Sequence, residues 1–346
     1  METVEHLVIG AGPAGLRAAQ VLAEEGREVL VLEKNGEVGP KTCAGGLTLK
    51  AVRELAPLGL APDVGLTRIG HIAFTGGPAR TLDVAATVVR TVPRRELGRL
   101  QLDWTTRAGA EVRVSAVAAG LDLASHTVTL ADRIIRYRRL IGADGADSSV
   151  RRALGLPHPR ACFAAEYNVP GLRLEPLRVE CDSGALANGY FWVFPHDSYT
   201  SVGAVAPKKL VPPATIRRYL TTRVRALGAG PELPPFEAAT LEVHFAGFDF
   251  PNDVHLVGDA AGVPSSLTAE GIYAALVTGE ETARRILEPT YPSPKTWSWL
   301  KVKRAHDCFS RLLRSGVVRG VTLSGLARLA HWAPGARAMA AWFLDG

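Results

Sequence analysis

Gly10-Ala11-Gly12-Pro13-Ala14-Gly15 closes a short apolar run, His6-Leu7-Val8-Ile9, and opens a stretch rich in alanine and leucine. The apolar run predicts a buried strand, and residues 16–25 predict the helix after it. Gly10 permits the tight turn, Gly12 lets backbone approach a pyrophosphate, and Gly15 lets helix pack on strand. Pro13 and Ala14 complete the turn, at a helix end whose free N–H groups and dipole favour an anion. The next predicted strand, Glu28-Val29-Leu30-Val31-Leu32, ends in Glu33, with Lys34 beside it. An acid about 20 residues after the glycines is expected to hold a ribose hydroxyl. The glycines alone are weak evidence. Strand, turn, helix, strand and acid in register mark a dinucleotide site.

A second run, Val257-Gly258-Asp259-Ala260-Ala261-Gly262, changes the expected cofactor. Residues 254–257 read as a buried strand, Asp259 lies just past its end, and a helix over 271–287 follows Glu270-Gly271-Ile272. An acid there can accept a ribityl hydroxyl, and the helix N-terminus can face the electron-rich pyrimidine edge of a flavin. Leu140-Ile141-Gly142-Ala143-Asp144-Gly145 is a third strand ending in an acid–glycine turn. With these three motifs in order, the chain resembles the FAD-dependent group that includes para-hydroxybenzoate hydroxylase. The resemblance implies FAD, and an arginine at the Arg94 position starting a helix near the flavin. A nicotinamide-only Rossmann protein is the weaker alternative.

The 346 residues exceed the usual size of a single core, so two lobes are expected. Nearly half of them, 47%, are apolar, yet no stretch has the length of a membrane span. The chain enters its first strand at once, leaving no room for a signal peptide. Cys43, Cys162, Cys181 and Cys308 are too widely spaced for a disulfide scaffold or a metal cluster, so no metal is expected and a cytoplasmic setting is.

The fold class expected is α/β (α+β overall). A Rossmann-like FAD-binding domain would be built from residues 1–70, 90–158 and 243–290. An inserted antiparallel-sheet catalytic domain would take 71–89 and 159–242, and a C-terminal helical segment 291–346. Strand-like stretches at 69–74, 81–89, 162–169, 177–182, 190–194 and 200–206 alternate with period two between turns. Packed over the flavin, that sheet would form a substrate chamber at the domain interface.

Two motifs bear on the chamber. Lys41-Thr42-Cys43-Ala44-Gly45-Gly46-Leu47 should pass close to the flavin, with Cys43 near its reactive face or simply small and apolar. In Gly189-Tyr190-Phe191-Trp192-Val193-Phe194-Pro195, alternation places Tyr190, Trp192 and Phe194 on one face of a strand and Phe191 and Val193 on the other. That face is either a substrate wall, ending at Pro195, or ordinary sheet core. Together the motifs resemble the geranylgeranyl reductase family, which has a cysteine–glycine loop after the first βαβ unit and a Y-x-W-x-F-P strand. The resemblance spans about residues 5 to 290. It departs at 263–271, where the family's Thr-Gly-Glu-Gly run is missing, and the chain is short for the family.

The family implies reduction of isolated carbon–carbon double bonds in polyprenyl lipids. An external electron donor such as NAD(P)H, ferredoxin or a quinol would reduce the flavin. An isolated alkene has no carbonyl to polarise, so hydride comes from the flavin and a proton from a nearby donor. Cys43, Tyr190 and a trapped water are the candidates. A flavin monooxygenase or halogenase shares the three motifs, and a non-catalytic flavin- or lipid-binding protein is the remaining alternative.

Residues 295–346 hold nine basic residues against two acids, whereas the whole chain carries +6, so the remainder is near neutral. Trp297, Trp299, Trp332 and Trp342 are four of the six tryptophans. Such a segment reads as a peripheral membrane element on the inner face, or as a helical lid with solvated arginines. Nothing resembles a nucleic-acid recognition motif.

Overall fold

The computed structural model of the chain describes residues 1–60, 66–75, 80–159, 161–175 and 177–329. In chain order it runs β1 (Glu2–Ile9), α1 (Pro13–Glu24), β2 (Val29–Leu32), β3 (Gly46–Leu47), α2 (Leu49–Leu55), β4 (Leu66–Thr75), β5 (Arg80–Thr91) and α3 (Arg94–Arg107). Then come β6 (Glu111–Arg113), β7 (Gly120–Asp122), β8 (Thr127–Thr129), β9 (Ile134–Gly142), α4 (Ser149–Ala153), β10 (Cys162–Pro170), β11 (Leu177–Asp182) and β12 (Tyr190–Pro195). The chain continues through β13 (Tyr199–Pro207), α5 (Pro213–Ala226), β14 (Glu237–Leu241), β15 (Asp249–Phe250), β16 (Val254–Leu256), α6 (Gly258–Ala261), α7 (Ile272–Leu287), α8 (Pro294–Leu312) and α9 (Gly316–Leu329).

The first sheet has the order β15-β16-β9-β1-β2-β6, with β8 and β7 attached through β9. β1 pairs in parallel with both β2 and β9, so the glycine turn after Ile9 and the Asp144 turn after Gly142 emerge side by side. β16 adds in parallel to β9 and brings Asp259 to the same edge. Three motifs far apart in the chain thus converge at the carboxyl ends of neighbouring strands, where open α/β sheets bind ligands. Each face is buried: Leu7 and Ile9 join Leu140, Leu256 and Trp299 on one side, while Val8 and Val31 meet α1 and α7 on the other. α7 lies so close on α1 that a Cβ at Gly279 would stand 2.3 Å from the Ala14 carbonyl oxygen. A buried ion pair, Arg17 to Glu280 at 2.8 Å, joins the two helices.

The second sheet has the order β14-β10-β13-β12-β11-β4-β5-β3. Its neighbours are antiparallel except β11 and β4, which run in parallel because β11 returns from a distant part of the chain. Two expectations change. Residues 46–47, 66–70 and 90–91, assigned by sequence to the cofactor lobe, belong to strands of this sheet. Backbone pairing across the interlobe seam decided them, and alternation marks only 69–70 of these positions as strand. Helix α5 and strand β14 lie in a stretch for which alternation gave no element. α5 buries Ile216, Leu220 and Val224 against Phe191, Val193 and Val202, closing one face of the sheet. The opposite face turns toward the first lobe.

Helix α8 packs along the cofactor lobe. Trp299 is buried and donates its indole N–H to the Val263 carbonyl at 2.9 Å. Lys303, 1% exposed, donates to the carbonyls of Val243 and Pro264 and pairs with Asp307. Burial holds its ammonium below the usual lysine range. Part of the basic, tryptophan-bearing segment is therefore a brace on the backbone at Val243, Val263 and Pro264. Trp332, Trp342 and Arg337 lie outside the described residues. Among those described, no helix is long and apolar enough to cross a membrane.

Candidate active site

The turn after β1 has the shape its glycines imply. Gly10 sits at φ +104°, and a Cβ there would lie 2.4 Å from the Ala143 carbonyl oxygen. A Cβ on Gly15 would strike the Gly10 carbonyl at 2.0 Å, so strand and helix touch through glycine alone. Gly12 differs, because a Cβ there would meet nothing within 4 Å. It caps the N-terminus of the twelve-residue helix α1 without any side-chain cap, so the helix's first N–H groups face open space. Pro13 and Ala14 are the first two helical residues, and Pro13 reaches the cavity described below. Glu33 is buried at the end of β2. Its carboxylate accepts the Ala11 N–H at 3.0 Å and the Asn35 N–H and amide, whereas Lys34 is exposed.

Two buried polar atoms beside these turns have no partner among the described residues. Arg94, 9% exposed, leaves Nη1 unsatisfied, and Asp144 leaves Oδ1 unsatisfied while its Oδ2 accepts from Ser149 and Val150. Gly145 follows Asp144 at φ +77°. Uncompensated buried polar atoms are costly, so these two mark where a ligand belongs. Asp259 accepts from Lys41 Nζ at 2.8 Å, and Gly271 caps α7 close to Asp259. Gly258 and Gly262 bracket α6, with Gly258 against Ala14 and Gly262 against the His244 carbonyl.

A cavity of about 210 Å³ opens between the lobes. Lys41, Cys43, Ala44, Arg94, Asp259 and Ile272 line its cofactor side, and Tyr190, Trp192 and Phe194 line the sheet side. Gly45, Gly46 and Pro195 hold these walls together. A Cβ on Gly46 would stand 2.4 Å from the Phe194 ring, and one on Gly45 2.5 Å from the Val92 carbonyl. Pro195 is buried, accepts the Thr91 hydroxyl at 2.8 Å and lies behind the wall. Gly10, Gly12, Gly15, Glu33, Asp144 and Gly145 do not line the cavity; they follow the carboxyl ends of β1, β2 and β9, next to Pro13, which does.

The wall side chains have defined partners. Tyr190 donates its hydroxyl proton to the Thr268 carbonyl at 2.7 Å, and burial holds the phenol well above its ordinary range. That proton is committed to a strap across the lobes. Trp192 is 4% exposed and donates its indole N–H to Ser201 Oγ at 2.9 Å. Cys43 is half-buried on the opposite wall. Sequence reasoning gave no role to several residues at or beside the site. His196 stacks on Tyr199 at 4.4 Å and donates Nε2–H to the Ala44 carbonyl at 3.0 Å. Glu270 pairs with Lys50, whose ammonium also lies over the Trp299 ring at 4.6 Å. Glu166 is buried beneath Cys43. The signal for Glu166 was a carboxylate between apolar Ala165 and Tyr167 on a strand.

A family model described as FAD binding domain matches residues 3–228. Digeranylgeranylglycerophospholipid reductase 2 of Methanothermobacter thermautotrophicus is 30% identical over 312 residues, covering 81% of this chain and 78% of the relative. The chain belongs to the geranylgeranyl reductase family of FAD-dependent oxidoreductases. A crystal structure of a geranylgeranyl bacteriochlorophyll reductase-like protein from Thermoplasma acidophilum shares the fold, with TM-score 0.79, 21% identity, and coverage of 99% of this chain and 96% of that one. Over 165 residues the chain is 37% identical to rifampicin monooxygenase of Streptomyces venezuelae, covering 44% of this chain and 34% of that protein. For a reductase of this family, FAD is the cofactor, and the site fits it. The open cradle at Gly12 suits a pyrophosphate, Arg94 Nη1 and Asp144 Oδ1 lack partners, and Glu33 and Asp259 are acids at the two ends. Reduced FAD supplies a hydride donor, chemistry that is the cofactor's own. The chain's share is to bind, orient and exclude water.

Proposed function

We propose that this flavoprotein reduces isolated carbon–carbon double bonds of a polyprenyl, geranylgeranyl-type lipid. The observation that carries the reading is the cavity wall of Tyr190, Trp192 and Phe194, set opposite Cys43 and Ala44. Tyr190 and Trp192 have their polar atoms tied off inside the protein, so the wall offers an isoprenoid chain little but apolar surface. Such a surface orients a flexible apolar substrate and keeps water from the reacting carbons. Cys43 is the side chain best placed to deliver a proton. It is a half-buried thiol on the cavity, whereas the Tyr190 proton is committed to Thr268. The names of the matched relatives support the same substrate class. An external electron donor would reduce the flavin.

The lipid would be drawn from a membrane surface through the α8–α9 junction. There Leu312, Val317 and Val321 are 56%, 80% and 71% exposed, beside the exposed Arg311 and Arg314. Arg319 is a different case. It is half-buried and donates to the Leu313 carbonyl at 3.3 Å, capping the end of α8.

The test is anaerobic incubation of the dithionite-reduced holoprotein with geranylgeraniol and geranylgeranylated glycerophospholipid, read by mass spectrometry. Products gaining two hydrogens per bond, with matching flavin reoxidation, are expected. A hydroxylated product formed only when oxygen is admitted would replace the reading with a monooxygenase. Binding without flavin reoxidation would replace it with a lipid-binding role.

A further inference from the structure

We propose that Glu166 is a positioning residue that ties the Cys43 loop to the Trp192 wall, and so sets which double bond of the bound chain is reduced. The inference rests on the reductase reading above. Glu166 lies on β10, at a position alternating with the odd-numbered core residues Ala165 and Tyr167, on the face shared with Ala164 and the cavity. It is 1% exposed, and among the described residues no lysine or arginine forms an ion pair with it. Its two oxygens are divided between the two walls. Oε1 accepts the Cys43 backbone N–H at 2.8 Å, and Oε2 accepts the Ser201 hydroxyl at 2.7 Å. Ser201 Oγ in turn accepts the Trp192 indole N–H at 2.9 Å. One continuous chain of hydrogen bonds runs from the cysteine loop, through β10 and β13, to the aromatic ring on β12.

The choice of side chain supports the role. Two donors arriving from opposite walls need two acceptor oxygens, which a carboxylate has and a glutamine has not. Burying a carboxylate without a cation is expensive, and core packing alone would favour an apolar residue here. Burial, helped by the nearby Glu237 carboxylate, does push the Glu166 carboxyl above its usual range, against the pull of Ser201, the Cys43 N–H and Asn168. The costly group stands where it bridges the two surfaces between which an alkene must fit. Cys43 and Trp192 both line the cavity. Reactivity is steep in such a gap, since a displacement of about 1 Å can cost about 10²-fold in rate.

The experiment compares Glu166→Ala, Glu166→Gln and Ser201→Ala, each as FAD-loaded protein, by two readouts. One is single-turnover reduction of geranylgeraniol, with the positions of reduced bonds mapped. The other is the rate of Cys43 alkylation by iodoacetamide, followed on its own peptide so that the exposed Cys308 does not interfere. Glu166→Ala should slow turnover by about 10²-fold, spread reduction over more bonds, and raise Cys43 alkylation several-fold. Glu166→Gln, which keeps one acceptor, should fall between it and the parent. Ser201→Ala should shift bond positions while Cys43 alkylation stays at the parent rate. Glu166→Ala that keeps FAD, bond selectivity and Cys43 alkylation overturns the proposal. If that variant fails to fold, Glu166→Gln and Ser201→Ala decide it, and parental behaviour in both overturns it equally. A parent protein that reduces no alkene sinks the reductase reading instead, and the alkylation readout still tests whether Glu166 anchors the loop.

Discussion

Strand β12 places two environments one residue apart. Phe191 and Val193 are fully buried and closed over by Ile216, Leu220 and Val224 of α5. Tyr190, Trp192 and Phe194 face a cavity and the cofactor lobe. The rings are chemically alike, yet the first face is bounded by protein on all sides and the second is left with space. Close packing makes an enclosed ring a stability element. A ring with a void on one side has forfeited part of its contacts and is available to a ligand. The lesson is that aromatic residues on one strand divide into scaffold and site according to what covers each face.

The sharpest way to break this comparison is to truncate one ring on each face. Phe191→Ala should lower stability by about 3–5 kcal/mol in urea or thermal unfolding, because its surroundings cannot collapse into the space. Gly12→Val should come next in consequence, on a different axis. Its side chain enters open space, so the apoprotein's unfolding should change by no more than about 1 kcal/mol, while FAD occupancy after purification collapses. A fully yellow variant would remove Gly12 from the pyrophosphate cradle. Trp192→Ala should cost on the order of 1–2 kcal/mol, since one side of its ring already lacks partner atoms. Its larger effect should be on turnover and on which bond is reduced. Stability loss equal to that of Phe191→Ala, with unchanged products, would make both faces core.

A smaller effect separates charge from shape on the cavity face. Burial raises the Glu166 carboxyl above the 4.5 of an unfolded chain. The folded state therefore holds that proton more tightly. This contribution is fully present below pH 4.5 and is lost as pH rises through the raised value. The stability of the parent relative to Glu166→Gln should accordingly be greatest at acid pH and fall toward neutrality. A flat difference would mean the carboxyl titrates as in water. The smallest expected effect concerns the lobe surface. Neutralising Arg311 and Arg314 together should weaken binding to anionic vesicles by about 2 kcal/mol, and salt should mimic the change. Arg319→Gln should act through the α8 cap and lower stability instead. Vesicle binding indifferent to lipid charge would leave this junction without a membrane role.

The residues themselves determined the cofactor lobe. Gly10, Gly12 and Gly15 after an apolar strand, with Glu33, Asp144 and Asp259 each just past a strand end, are local signals. The Asp144 and Asp259 motifs carry strand, turn and acid within a dozen residues, and Glu33 closes the strand that follows the glycine turn and its helix, so periodicity and turn chemistry sufficed. Alternation along 190–195 likewise separated the two faces of β12, because strand geometry has period two whatever surrounds it.

Only the tertiary structure decided which face was the wall. It placed α5 over Phe191 and Val193, and pressed Gly46 against the Phe194 ring. It also recruited residues 46–47, 66–68 and 90–91 into the second sheet through backbone pairing that alternation does not show. Glu166 was legible only as an oddity, an acid among apolar neighbours. Its partners, Cys43 and Ser201, stand 123 and 35 residues away in the chain. The C-terminal segment divided in the same way. Charge and tryptophan content flagged it, but burial of Trp299 and Lys303 beside exposed Arg311 and Arg314 came from how α8 docks. A motif is readable from sequence when the groups that explain it are neighbours in the chain. When they meet only through packing, the chain holds the parts and the fold alone brings them within hydrogen-bonding distance.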